Sequence, residues 1–252
     1  MNLQPLQAPP QIHTSPPPRT LDLRGVHLYL CDLDAEARSD RWDGSVLSAE
    51  EVKRADRLSC DPHRRRFATG RTILRCLLGS VLGMDPREIA FEKNVFGKPR
   101  LAESCGRRGG TDAGILHFNC SHREHVLMVG LTPLGELGVD VELVRPGADV
   151  ERLAADYFPP AQAQALRELP PARALREFYR AWTLREALIK AAGSCIALGL
   201  DGLAGRPGDR CASCRALNAT PPATGSFLYY QFDVSVGGAD ATASIALADS
   251  RT

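Results

Sequence analysis

No apolar run in the chain approaches the roughly 20 residues that a membrane-spanning helix needs. The N-terminus lacks the basic segment and apolar core of a secretory signal, so a cytoplasmic protein is expected. Charge of one sign is also missing: 31 Lys and Arg offset 30 Asp and Glu to a formal +1. No global field therefore argues for a nucleic acid or a membrane surface, although local patches remain open. Aromatic residues are only 6% of the chain, with no stacking array in its basic stretch, which counts against nucleic acid. Eight cysteines are scattered through a chain too large to need disulfide staples, so reduced thiols, several of them buried, are expected. "CASC" (211–214) has zinc-type spacing, but no second Cys or His pair follows it. No obvious internal repeat is present.

What is present is ordinary globular material: 252 residues, 44% hydrophobic and 24% charged, enough for one large or two small domains. Residues 1–20, with "APPQIHTSPPPR", read as a disordered Pro-rich tail. "VHLYLCDL" (26–33) reads as a strand. Ser48 with Glu51 makes a capping box for a helical region that runs to about Leu82 with a break near "CDPH". Residues 88–102 read as a hairpin around "FGKP", and 103–114 as a flexible glycine-rich loop. In "FNCSHREHVLMVG" (118–130) a compact polar turn, "NCSHREH", precedes a buried strand. "LGVDVELV" (137–144) is another strand; helical patterns cover 149–168, split or kinked at Pro159–Pro160, and 172–193. "SFLYYQFDVSV" and "ATASIALA" form a hairpin through "GGAD". The pattern predicts an α+β fold in two similar lobes, an N-terminal one over 21–133 and a C-terminal one over 134–252.

Three groups of residues carry chemistry. Asp140 and Glu142 share one face of their strand, opposite Val139, Val141 and Leu143. Two adjacent carboxylates repel unless a cation or proton joins them, so the pair is either a solvated face or an oxygen-ligand site for Mg²⁺. Glu186 and Lys190 stand at i and i+4 on "FYRAWTLREALIKAAG" (178–193), beside an apolar side that includes Phe178, Trp182 and Ile189. Alone they are a surface ion pair worth roughly a few tenths of a kcal/mol; beside Asp140 and Glu142 they would complete a magnesium–phosphate site. Residues 53–75 hold Lys53, Arg54, Arg57, Arg64, Arg65, Arg66, Arg71 and Arg75 against Asp56 and Asp61. That excess is either a solvated helix face or a bed for a phosphate-rich ligand.

Taken in order, "FGKP", "FNCSH", "GVDVE" and "FYRAWTLREALIKAAG", preceded by "SxEExxR…RRRF…GR…LR", resemble the 4′-phosphopantetheinyl transferases of the surfactin-synthetase-activating type. The resemblance spans about residues 25–250. It implies a pseudo-twofold pair of α/β lobes with coenzyme A in the cleft between them. It also implies transfer of the 4′-phosphopantetheine arm to a serine of an apo carrier protein, with adenosine 3′,5′-bisphosphate leaving. By matching positions, Asp140, Glu142 and Glu186 would hold Mg²⁺, with Mn²⁺ as the alternative. Ser121 and His122 would contact the coenzyme A phosphates. Arg54, Arg66, Lys98 and Pro99 would line the phosphoadenosine, and Asp140 and Lys190 would reach the pyrophosphate. Glu186 and Lys190 would be the catalytic pair, and Asn119 would tie the polar turn together.

Two departures stand out. Cys120 occupies an aliphatic position, and "GSCIALGL" puts Cys195 in a turn that is usually glycine-rich. The acceptor is open among acyl, peptidyl and polyketide carriers of fatty-acid, polyketide or nonribosomal peptide synthesis, and a monomer is expected. The rival readings are a metal-dependent coenzyme A or nucleotide hydrolase and a non-catalytic carrier-binding homologue.

Overall fold

The computed structural model describes residues 19–23, 25–39, 41–94, 97–106, 116–193 and 227–248. The tail before residue 19, most of the 103–114 loop, the turn beyond Gly193 with Cys195, and "CASC" lie outside the described residues. The chain divides into two compact units, Met1–Leu134 and Gly135–Thr252.

The first unit contains β1 (Arg19–Leu23), β2 (Val26–Asp32), α1 (Leu33–Ala37), α2 (Ala49–Asp56), α3 (Asp61–Leu82), β3 (Phe91–Lys93), β4 (Pro99–Leu101), α4 (Glu103–Gly106), β5 (His117–Arg123) and β6 (Val126–Thr132). Its main sheet has the order β1-β2-β6-β5, antiparallel throughout, and β3 pairs with β4 across the "FGKP" turn. The capping box of α2 is formed: Ser48 Oγ accepts from Glu51 N, and Glu51 Oε2 accepts from Ser48 N. Pro62 in its first turn suits the start of α3. Gly83, with φ of 64°, ends it in the left-handed region that favours glycine. Ile73, Leu74, Leu77 and Leu78 recur at helical spacing and are buried against Tyr29, Leu127, Val129 and Leu131 of the sheet. Burying each such side chain contributes about 1.5–3 kcal/mol.

Two expectations for this unit need correcting. Strand β1 begins at Arg19, inside the stretch read as tail, because the proline run ends at Pro18 and nothing after it blocks ladder bonds. The polar stretch after Phe118 is strand and not turn. β5 pairs with β6 as far as Arg123↔Val126, and only Glu124 and His125 turn, Glu124 with φ of 52°. Asn119 and Ser121 are buried strand residues, so polarity marked a strand with two demanding faces.

The second unit contains β7 (Leu137–Leu143), α5 (Val150–Tyr157), α6 (Pro160–Arg167), α7 (Pro171–Ala191), β8 (Phe227–Val236) and β9 (Ala239–Ala248). The order β7-β9-β8 is antiparallel, with β8 and β9 joined through Gly237 and Gly238, both at positive φ as a two-residue hairpin requires. The helical stretch before α7 splits at Pro159–Pro160, since proline carries no amide hydrogen to continue α5. Phe178 stacks on Trp182, and Phe158 meets both rings at an angle where α5 and α6 meet α7. Both units combine helices with antiparallel sheet, an α+β fold.

Candidate active site

Helix α7 lies on β7 at backbone contact. A Cβ built on Gly138 would meet the Ala187 carbonyl oxygen at 1.9 Å and the Ala191 nitrogen at 2.5 Å. Only glycine admits that approach, so the "G" of "GVDVE" sets how near the helix comes. Strand side chains alternate, so Asp140 and Glu142 share this helix-facing side with Gly138, while Val139 and Val141 are buried on the reverse. Asp140 is 4% exposed. Its Oδ1 accepts from Lys190 Nζ at 2.6 Å, and the same ammonium donates to the Val139 carbonyl at 3.1 Å. The Lys190 ammonium thus reaches across to the strand, a half-buried contact and not the surface pair with Glu186 that spacing alone suggests. Glu186 is pushed above the ordinary carboxylate value, first by burial and then by the negative charge of Asp140; Lys190 and Arg185 pull the other way. The two carboxylates therefore share one neighbourhood.

Among the described residues, no three His, Cys, Asp or Glu side chains are grouped as a metal ion would need. The expected trio of Asp140, Glu142 and Glu186 is thus not preassembled; Lys190 stands against Asp140 in its place. The donor chemistry still fits Mg²⁺. All three are hard oxygen ligands, and Glu186, raised first by burial and then by the charge of Asp140, lies near enough to Asp140 to feel it.

The sheet beneath α7 carries a polar row that sequence reading missed. Asp140 pairs in register with Ser244, and Ser244 with Gln231. Ser244 Oγ lies 2.7 Å from Thr183 Oγ1 and accepts from Gln231 Nε2 at 2.9 Å, while Gln231 Nε2 also donates to the Arg180 carbonyl at 2.7 Å. Two register positions on, Thr242 pairs with Glu142 and donates to Asp233, which pairs with Arg180. The signal was legible in "ATASIALA": Thr242, Ser244 and Ala246 are small or polar at a period of two on the side that α7 covers.

In the first unit the basic segment separates into two kinds of arginine. Arg75 and Arg71 close on Glu51 at 2.7 Å each, lie over the Phe91 ring, and Arg75 also donates to the Pro86 and Ile89 carbonyls. They brace α2 and α3 to the β3 region and are not a phosphate bed. The expected excess of cations overlooked Glu51, whose carboxyl is held below its ordinary value by the Ser48 amide and both guanidinium groups, against its burial. Arg66 instead pairs with Asp34, its Nε on Oδ1 at 2.7 Å, and feels the charges of Glu124 and Asp32. It therefore sits by the β5–β6 turn. His122 is on the same face: it continues the row Phe118–Cys120 and pairs with Leu127, which Gly70 of α3 approaches. Ser121, one residue away, points to the opposite face and is buried, so the structure does not bring Ser121 and His122 to one side of the strand. Arg54 lies over the Phe67 ring. Lys98 follows Gly97 (φ 84°) in a turn closed by Asn94, whose side chain accepts from the Lys98 amide, and Pro99 opens β4 opposite Lys93. Cys120 lies against the core, where a small thiol substitutes for an aliphatic group.

A family profile described as the 4′-phosphopantetheinyl transferase superfamily matches residues 136–227, the region that carries Asp140, Glu142, Glu186 and Lys190. The chain is 37% identical over 182 residues to the 4′-phosphopantetheinyl transferase HetI of Nostoc sp., covering 72% of this chain and 74% of that protein. It is 33% identical to a putative 4′-phosphopantetheinyl transferase of Synechocystis sp., over 62% of this chain and 61% of the relative. A 4′-phosphopantetheinyl transferase of Bacillus subtilis is 28% identical over 64% and 67%. With β7 and α7 inside the matched region and HetI aligned over most of both chains, this chain belongs to the 4′-phosphopantetheinyl transferase family.

Proposed function

We propose that Asp140, Glu142, Glu186 and Lys190 form the reaction centre of a transferase that moves the 4′-phosphopantetheine arm of coenzyme A to a serine of an apo carrier protein. The observation that carries this is the convergence of two carboxylates and one ammonium where α7 touches β7. Mg²⁺, held by Asp140, Glu142 and Glu186, would neutralise pyrophosphate charge. Glu186, directly or through water, takes the proton of the carrier serine. The serine oxygen bonds to the β-phosphorus as the bond to the bridging oxygen breaks, and adenosine 3′,5′-bisphosphate leaves. Lys190 presents its ammonium to the departing phosphate oxygen, where negative charge grows.

In the first unit, Arg66 and His122 share one face and bind the 3′-phosphoadenosine end, with Arg54, Lys98 and Pro99 beside it and Ser121 contributing from the reverse face. Asp34 holds the Arg66 guanidinium in place before the ligand arrives. The surfactin-synthetase-activating type is the subtype favoured by the order of motifs and by two units that each pair a long helix with an antiparallel sheet. A cytoplasmic monomer acting without nucleic acid or membrane fits the near-neutral charge, and no described helix is long and apolar enough to cross a membrane.

The test is mass spectrometry of an apo carrier protein incubated with coenzyme A, Mg²⁺ and the enzyme. One added phosphopantetheine arm on the carrier supports transfer. Free phosphopantetheine without a labelled carrier would mean a hydrolase, and binding without turnover a non-catalytic homologue.

A further inference from the structure

The contact between α7 and the second sheet is made of small residues, Gly138, Ala187, Ala191 and Ala246, which bring helix and sheet close. Smooth packing of that kind sets distance well and axial position poorly, because nothing directional opposes a slide along the helix axis. Yet axial position is what the site depends on. A slide of one residue moves a helical side chain by about 1.5 Å. That would disturb the contact of Lys190 Nζ with Asp140, now 2.6 Å, and carry Glu186 along with it.

Apart from the Lys190 contacts to β7 and the half-exposed Arg180–Asp233 pair, directional bonds on this interface gather in one buried group. Gln231 Nε2 donates to Ser244 Oγ, and the Ser244 hydroxyl lies 2.7 Å from Thr183 Oγ1. Thr183 Oγ1 donates to the Arg180 carbonyl at 3.3 Å, and Gln231 Nε2 donates to that same carbonyl. The bonds close a ring that ties α7 to β9 and β8. Thr183 and Ser244 are both 0% exposed. Burying hydroxyls there costs stability unless each bond is made, so the ring tolerates one alignment of helix and sheet. Its location is specific: Ser244 is the register partner of Asp140, and Thr183 precedes Glu186 by three residues and Lys190 by seven, along one side of α7.

We propose that Thr183, Ser244 and Gln231 form a positioning clamp for the transfer reaction, locking the axial register of α7 so that Glu186 and Lys190 meet Asp140. The clamp touches no substrate and acts through the residues it aligns. The proposal rests on the reaction centre assigned above.

The test compares Thr183→Val, which keeps the side-chain shape and removes the hydroxyl, with Thr183→Ser, which keeps the hydroxyl. Ser244→Ala serves as an independent break. Steady-state transfer to an apo carrier protein is read beside Mn²⁺ binding, followed by electron paramagnetic resonance with coenzyme A and without carrier. Thr183→Val and Ser244→Ala are expected to lower kcat by about 10- to 100-fold. They should weaken Mn²⁺ binding and leave the KM for coenzyme A within about twofold, as expected for a residue that aligns reacting groups without contributing to uniform binding. Thr183→Ser should restore kcat. If Thr183→Val does not fold, Ser244→Ala with the Thr183→Ser control decides. Wild-type kcat and Mn²⁺ affinity in a folded Thr183→Val or Ser244→Ala protein overturn the proposal. Equal impairment of Thr183→Ser and Thr183→Val also overturns it, by pointing to the methyl group. In each of these cases the wild type still transfers the arm, so the reaction assignment survives; a wild type that fails to label any carrier removes both.

Discussion

Replacing Gly138 with alanine tests whether direct contact between β7 and α7 builds the site. The new methyl carbon would fall 1.9 Å from the Ala187 carbonyl oxygen and 2.5 Å from the Ala191 nitrogen. Both are backbone atoms of a long helix, so no side-chain rotation relieves the clash. Restoring an ordinary contact of 3.4 Å needs a local retreat of about 1.5 Å. Overpacking of this kind costs about 1–3 kcal/mol, and the rigid backbone on both sides places Gly138→Ala at the upper end. The same retreat moves the backbone that carries Lys190 and Glu186 away from Asp140 and disturbs the 2.6 Å Lys190–Asp140 contact. Urea unfolding should therefore show a lower midpoint with an unchanged slope, and carrier-labelling kinetics should show kcat reduced by about 100-fold or more. A Gly138→Ala protein with the wild-type midpoint and kcat would refute the reasoning, because it would mean that α7 does not need to touch the strand.

Other outcomes follow from the same geometry. Asp140→Ala should abolish transfer at saturating coenzyme A and leave a folded protein by circular dichroism; near-normal turnover would remove the metal assignment. Glu186→Gln should cut kcat by orders of magnitude yet raise the melting temperature of the metal-free protein at neutral pH. A carboxyl whose folded value is raised above the ordinary 4.5 favours folding below 4.5 and loses that contribution as pH rises through the raised value, so the mutant's advantage should disappear below about 4.5. His122→Ala and Arg66→Ala should raise the KM for coenzyme A more than they lower kcat, and dephospho-coenzyme A should narrow the gap to wild type. Arg66→Ala should also be less stable at neutral pH. The hydrogen bond from Arg66 lowers Asp34 below its ordinary 3.8, so that contribution is present above 3.8 and is lost as pH falls through the lowered value; melting curves of wild type and mutant should converge there. Lys190→Ala should lower kcat with helix content unchanged, because the ammonium meets charge that grows only as the leaving bond breaks.

Local pattern determined a good deal of this protein. The Ser48–Glu51 capping box, the break before α3, the split at Pro159–Pro160 and the β8–β9 hairpin all arise within a few residues, where cap chemistry, proline and glycine act without help from distant parts. The alternation of "GVDVE" and the i, i+4 spacing of Glu186 and Lys190 likewise put each chemical group on a definable face. Tertiary structure decided which faces meet. Sequence spacing set Lys190 beside Glu186, whereas the approach permitted at Gly138 carries its ammonium to Asp140, 50 positions away. Counting charges along residues 53–75 left a solvated face and a phosphate bed both open, whereas folding gives Arg71 and Arg75 to Glu51 and sets Arg66 against Asp34, the last pair 32 positions apart. Thr183, Ser244 and Gln231 are unremarkable in three separate segments and become a hydrogen-bonded ring only when α7 crosses β9 and β8. Side-chain chemistry and local periodicity are properties of neighbouring residues in the chain. Partnership is a property of packed surfaces, and it is settled only when the helix and the sheet close on one another.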